Sequence, residues 1–138
     1  MQKESNQLHF ILIDENEIDL FLHEKLIRSQ GISTRITSFL DVLQALDHIL
    51  PFQDTPDLYP DTVILLDIRM SGTDGFEFLN YFERMPDRIL AKTRIFIVSS
   101  SLDYSDIMRS HAHHLVDKFL AKPLDPDELK RVIKENMI

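Results

Sequence analysis

The sequence predicts a doubly wound α/β fold, with a five-stranded parallel sheet covered by five helices on its two faces. Two observations carry that prediction. Short apolar runs and helical patterns alternate along the chain, and this order calls for crossover connections and a parallel sheet. The runs Phe10 to Ile13, Val63 to Leu66 and Ile95 to Val98 are wholly apolar, as expected of strands buried on both faces.

Met1 to Gln7 is polar and reads as a flexible tail, so the domain is expected over residues 8–138. Leu8 to Ile13 is the first strand. Glu17 to Gln30 is the first helix, with Ile18, Phe21, Leu22 and Leu26 as one apolar stripe and Gly31 as its stop. Ile32 to Thr37 is rich in β-branched residues and reads as the second strand. Ser38, with Asp41 three positions on, resembles a capping box and opens a second helix carrying Leu40, Leu43, Leu46 and Leu50. A loop with Pro51, Pro56 and Pro60 leads to the third strand, Thr62 to Leu66. A turn-rich stretch from Ile68 to Gly75 precedes a third helix with Phe76, Leu79 and Phe82. Arg94 to Val98 is the fourth strand, and Asp103 and Asp106 cap and charge the helix that runs through Ile107 and Met108. Val116 to Leu120 is the fifth strand. Asp125, Pro126 and Glu128 start a last helix carrying Leu129, Val132 and Ile133.

At 138 residues the chain fits one domain and leaves no room for a separate output domain. With 15 basic and 23 acidic residues its net charge is −8, which argues against nucleic acid and anionic membrane as partners and favours cations or basic protein surfaces. No cysteine is present, which excludes disulfides, thiolate metal sites and a Cys nucleophile. No apolar run exceeds four residues, so neither a signal peptide nor a membrane span is expected, and the predicted location is cytoplasmic.

Ligands of open α/β sheets bind at the carboxyl ends of the strands. There the first strand delivers Asp14, Glu15 and Asn16, and the third delivers Asp67. The fourth delivers Ser99 and Ser100, and the fifth delivers Lys122 followed by Pro123. Crowded carboxylates need a counter-charge, and a few carboxylates with retained waters suit Mg²⁺ better than Ca²⁺. A carboxylate beside such a cation is able to act as a nucleophile toward phosphorus, with a lysine stabilising the transferring group. Ser99 is placed to hydrogen-bond phosphoryl oxygens.

At these residues the chain resembles a response regulator receiver domain, the CheY-like phospho-acceptor of two-component signalling. The resemblance covers about Phe10 to Ile133 and rests on four motifs. These are Ile13-Asp14-Glu15-Asn16; Leu65-Leu66-Asp67 with Gly72, Asp74 and Gly75; Val98-Ser99-Ser100; and Ala121-Lys122-Pro123. It implies a flavodoxin-like three-layer sandwich with strand order 2-1-3-4-5. It also implies that Asp67 is the phospho-acceptor and that Asp14, Glu15, Asp67 and the backbone carbonyl of Arg69 hold Mg²⁺, or Mn²⁺ in its place. Ser99 would be the switch hydroxyl, Lys122 the phosphate-binding lysine with a cis Lys122–Pro123 peptide, and Phe119 the switch aromatic. Such a protein catalyses only its own phosphorylation and dephosphorylation. Its partners would be a histidine kinase or histidine phosphotransfer protein and a separate downstream protein, reached through the face of the fourth helix, fifth strand and fifth helix. Departures from the common pattern are Glu15 in place of Asp, Ser71 in place of Pro, and Arg69 and Ser101 at the places that set phosphoryl lifetime.

Two other classes compete. A pseudo-receiver would bind partners without phosphorylation, and the Glu15 exchange is what keeps it in play. A haloacid-dehalogenase-type phosphatase needs a second Asp two residues past its nucleophile, where this chain has Arg69, and the Asp14–Glu15 pair would repel a flavin phosphate. The His111, His113 and His114 cluster is read as a solvated helix end rather than a transition-metal site. Phe76, Phe78, Tyr81 and Phe82 are read as packing rather than a cofactor box.

Overall fold

The computed structural model describes residues 8–70, 75–100 and 103–136. The predicted tail Met1 to Gln7, and Ser71, Gly72, Asp74 and Ser101, lie outside the described residues. Five strands, β1 (His9–Ile13), β2 (Arg35–Phe39), β3 (Thr62–Leu66), β4 (Thr93–Ser99) and β5 (Val116–Ala121), form one all-parallel sheet in the order β2-β1-β3-β4-β5. Helices α1 (Glu17–Ser29), α2 (Val42–Ile49), α3 (Gly75–Phe82), α4 (Asp87–Ala91), α5 (Tyr104–Ala112) and α6 (Pro126–Asn136) cover it. The predicted fourth and fifth helices are therefore α5 and α6, and α4 is an addition.

Side chains alternate across the sheet with period two, and each face has its own core. Ile11, Ile13, Ile64, Leu66, Ile95 and Ile97 pack under α2, α3 and α4. Phe10, Leu12, Val63, Leu65, Phe96 and Val98 pack under α1 and α6. Every residue of the central strand β3 is buried, as its unbroken apolar run requires.

Local chemistry explains most boundaries. After α1, Gly31 takes φ +68°, its N–H bonds to Arg28 O at 3.1 Å and the next N–H, from Ile32, reaches Ile27 O at 3.0 Å. That pair of bonds is the Schellman closure a glycine permits. Ser33 then donates to Leu8 O and accepts the Arg35 N–H. This turn delays β2, which starts at Arg35 rather than the expected Ile32. Ser38 consequently lies within β2, paired with Leu12. The N-cap of α2 is Asp41, whose Oδ1 accepts the Gln44 N–H at 2.8 Å, so the Ser38 capping box is corrected.

Two helix stripes also differ from expectation. Ile18, Phe21 and Leu22 are 69%, 64% and 52% exposed, and α1 instead buries Leu20, His23 and Ile27. In α2, Leu43 is exposed and Val42, Ala45, Leu46 and Ile49 are buried. Both helices carry apolar residues in two phases, and one of the two faces the sheet. The stripes predicted for α3 and α6 are observed: Phe76, Leu79 and Phe82 are buried, as are Leu129 and Val132.

The proline-rich loop folds into 3-10 turns at Leu50–Asp54 and Pro56–Leu58. It is tied to α4 and the start of β4 from one side. Lys92 Nζ donates to Tyr59 O at 2.8 Å, and Thr93 Oγ1 lies 3.0 Å from the Tyr59 hydroxyl and donates to Ile89 O at 2.7 Å.

At the start of β1, half-buried His9 sits against Thr37 Oγ1 at 3.0 Å and edge-on to His48. Burial, then the Arg35 and His48 charges, lowers its pKa from 6.5 to about 4. The unfolded chain therefore binds a proton that the folded chain refuses between those values, and stability is lost as pH falls through that window. His23 and His113, also lowered by burial, act in the same direction. Urea midpoints are expected to fall from pH 6.5 toward pH 4 with up to one proton of slope from His9. His9→Gln is expected to flatten that part of the curve, and an unchanged slope would contradict the assignment.

Candidate functional site

The carboxyl ends of β1, β3 and β5 converge on one ammonium. The β1 ladder continues into Asp14, whose N–H bonds to Phe39 O at 3.1 Å, and Asp14 Oδ1 accepts the Asn16 N–H at 2.9 Å. Asn16 in turn caps α1, its Oδ1 accepting the N–H groups of Ile18 and Asp19. Asp67 follows β3, with its own N–H on Ile13 O at 2.9 Å and its Oδ1 accepting the Arg69 N–H at 2.7 Å. Lys122 follows β5, its N–H on Ser99 O at 3.0 Å, and the Lys122–Pro123 peptide is cis as the resemblance implied.

Lys122 Nζ donates to Asp14 Oδ2 at 2.7 Å, Asp19 Oδ2 at 2.7 Å and Asp67 Oδ2 at 2.9 Å. The Lys122, Asp14 and Asp67 side chains are 9%, 5% and 9% exposed. Burial alone would lower the lysine pKa, but the hydrogen bonds to Asp14, Asp19 and Asp67 outweigh it and hold Lys122 well above its ordinary range. Asp67 is pushed upward, first by burial and further by the Asp14 charge, against the downward pull of the Arg69 N–H and Lys122. Three carboxylates meet one ammonium, so among the described residues the carboxylates of the cluster outnumber the lysine they share. A divalent cation fits that surplus, and the hard oxygen donors suit Mg²⁺. Among the described residues, however, no three His, Cys, Asp or Glu side chains are grouped as a metal site. Glu15 is exposed although its neighbour Asp14 is buried.

The structure thus brings Asp14, Asp67 and Lys122 together as expected, with Ser99 buried at the end of β4, opposite Ala121. Phe119 is half-buried and packs against the core that contains Ile95 and Ile97. Two residues were missed by sequence reasoning. Asp19 shares Lys122, and its position three residues after the Asn16 cap made it look like an ordinary first-turn acid. His23 is buried on α1 beside the cluster, its pKa lowered by burial and by Lys122. Asp19, Leu22, His23, Leu26, Ser100 and Lys122 are among the residues lining a groove of about 480 Å³ at this edge.

Arg69 contributes more than its backbone. Its guanidinium pairs with Asp103 at 3.0 Å and Asp106 at 2.6 Å, joining the segment after Asp67 to the first turn of α5. Asp103 is the α5 N-cap, as predicted, accepting the Ser105 and Asp106 N–H groups. Farther along α5, Arg109 lies 3.9 Å over the Phe76 ring of α3. Of the histidine cluster, His111 is exposed, and His113 stacks on His114, which lies 3.8 Å from Glu83. Among the described residues, no helix is long and apolar enough to cross a membrane.

Comparison with known proteins agrees with this fold. The family model for the response regulator receiver domain matches residues 10–134. The chain is 35% identical to a response regulator receiver protein from Dyadobacter fermentans, with a TM-score of 0.84 over 93% of this chain and 96% of that one. It is 27% identical to a two-component response regulator from Cytophaga hutchinsonii, with a TM-score of 0.81 over 92% of this chain and 94% of that one. It is also 29% identical, over 91% of its length and 78% of the relative's, to the probable methanogenesis regulatory protein FilR2 of Methanothrix harundinacea.

Proposed function

Because the chain belongs to the response regulator receiver family of two-component signalling, we propose that Asp67 accepts a phosphoryl group from a histidine kinase or histidine phosphotransfer protein. One observation carries this reading: a buried lysine holds carboxylates delivered by β1 and β3 at the sheet edge where a ligand is expected. An Asp67 oxygen attacks phosphorus, the bond from phosphorus to the donor's imidazole nitrogen breaks, and the imidazole leaves with the electron pair. Lys122 stays protonated and supplies N–H donors to the transferring oxygens. Ser99 adds a hydroxyl from the end of β4.

Asp14, Asp67, Glu15 and the Arg69 carbonyl would hold Mg²⁺, or Mn²⁺ in its place. The bound cation would neutralise charge on the phosphoryl oxygens. The added negative charge on Asp67 would draw Ser99 inward and shift Phe119, remodelling the α5–β5–α6 face for a separate protein in the cytoplasm. The exposed Ile18, Phe21 and Leu22 of α1, beside Asp19, offer an apolar surface near the acceptor on which a phosphodonor protein would rest.

The Glu15 exchange is what keeps a phosphorylation-independent binding module as the second reading. Intact-mass measurement after incubation with acetyl phosphate and Mg²⁺ separates the two. The expected result is a single phosphoryl adduct on the native chain, dependent on Mg²⁺ and lost in Asp67→Asn. No adduct, even with a cognate kinase, would favour the binding module.

A further inference from the structure

Lys122 has three N–H bonds to give, and each goes to a different carboxylate, with Asp14 and Asp19 at 2.7 Å and Asp67 at 2.9 Å. Asp14 and Asp67 are buried, and each is pinned through its other oxygen by a backbone N–H, from Asn16 at 2.9 Å and Arg69 at 2.7 Å. Asp19 differs in both respects. Its side chain is 28% exposed, and it stands on the first turn of α1 beside the groove rather than at a strand end.

We propose that Asp19 is a positioning residue for phosphoryl transfer. It holds Lys122 over the pocket before phosphorylation and is the carboxylate that surrenders its N–H when a phosphoryl group arrives on Asp67. The inference rests on the phospho-acceptor reading above.

The reasoning is one of donor supply. The phosphoryl oxygens need N–H donors at a lysine whose three are all engaged; esterification frees the one held by Asp67, and a second comes from Asp14 or Asp19. Asp14 is buried and fixed at the end of β1, so withdrawing it from the pocket is the costlier outcome. Asp19 returns to water instead. With acetyl phosphate as donor, an Asp67 oxygen bonds to phosphorus, the bond from phosphorus to the acetyl oxygen breaks, and acetate leaves with the electron pair. Lys122 keeps all its protons and exchanges one acceptor for another. Asp19 therefore competes with the incoming group, both for the donor and through its charge.

The test compares phosphorylation rates by acetyl phosphate in Mg²⁺ for the native chain, Asp19→Asn, Asp19→Glu and Glu17→Gln. Glu17 is an acid of the same helical turn, is exposed and makes no ion pair with Lys122. Asp19→Asn is expected to react roughly three- to tenfold faster. Asp19→Glu is expected to restore the native rate, and Glu17→Gln to change little. A merely structural Asp19 would give the opposite sign, so a rate equal to or below native in Asp19→Asn overturns the proposal. An equal gain in Glu17→Gln also overturns it, since the effect would then be bulk charge. Nitrogen NMR of the Lys122 ammonium reads the contact without phosphorylation. Its exchange protection is expected to drop in Asp19→Asn alone, and an unchanged signal overturns the hold on Lys122. If the native chain takes no phosphoryl group while that protection drops, the function reading and the handover fail together and the resting contact stands.

Discussion

Lys122→Ala is expected to destabilise the fold by about 2 kcal/mol at neutral pH, and to do so in a way that Mg²⁺ reverses. The residue is the ammonium on which Asp14, Asp19 and Asp67 all converge. Removing it leaves carboxylates facing one another, two of them buried. Breaking a buried pair from one side costs about 3–5 kcal/mol when the orphaned charge has no escape. Here Asp19 is 28% exposed and able to turn to water, which brings the expected loss below that range. The sign with pH follows. Because the folded pKa of Lys122 is raised, its contribution in the native chain is fully present below the unfolded lysine value near 10.4 and is lost only as pH rises above it. The deficit of the variant shrinks on acidification instead, as its carboxylates are protonated. Urea denaturation across pH, with and without Mg²⁺, reads both effects, and a variant indifferent to Mg²⁺ would contradict the charge balance drawn here.

Gly75→Ala is expected to disturb Asp67, the proposed acceptor, directly. A Cβ on Gly75 would sit 2.9 Å from the Asp67 carbonyl oxygen and 2.9 Å from Ile68 Cα, both backbone atoms with no rotamer to escape into. Overpacking of this kind costs about 1–3 kcal/mol. It also pushes on the residue that must present its carboxylate, so phosphoryl uptake is expected to drop along with the thermal midpoint. Gly31→Ala is the contrast. Its φ of +68° makes alanine strained although nothing lies within 4 Å, so stability falls by about 1 kcal/mol while uptake is unchanged. Equal uptake by the native chain and Gly75→Ala would contradict the close packing of that glycine against the site.

What could be read from the residues divides along physical lines. Strands buried on both faces announce themselves as unbroken apolar runs, so β1, β3 and β4 were placed to within a residue or so. The helix α6 opens on Asp125-Pro126 and α5 on Asp103, chemical signals that propensity does not blur. The phase of α1 was misread because Ile18, Phe21 and Leu22 are more apolar than the buried set, which includes His23. The Asn16 cap and the Asp19–Lys122 contact go with the observed rotation of that helix, and neither is visible as hydrophobic periodicity. The same applies to Ser38, whose capping role was pre-empted by pairing with β1. Five residues of α4 are too few to show a period.

The site was legible because each partner follows a strand, and strand ends in such a sheet meet at one edge. Asp14, Asp67 and Lys122 were found that way. Asp19 was not, since an acid in a first helical turn already has an ordinary explanation in the helix dipole. The tie from Arg69 to Asp103 was invisible for a different reason, being a contact 34 residues apart in sequence between two chain segments that no motif links.

The central claim is that the Asp67 carboxylate itself becomes the acyl phosphate. Borohydride reduction of the acetyl phosphate-treated protein converts such a residue to homoserine, and peptide mass spectrometry locates it. The account predicts homoserine at position 67 alone, formed only when Mg²⁺ was present. Homoserine at another position, or a phosphoryl group recovered unreduced on a hydroxyl or histidine, would contradict it.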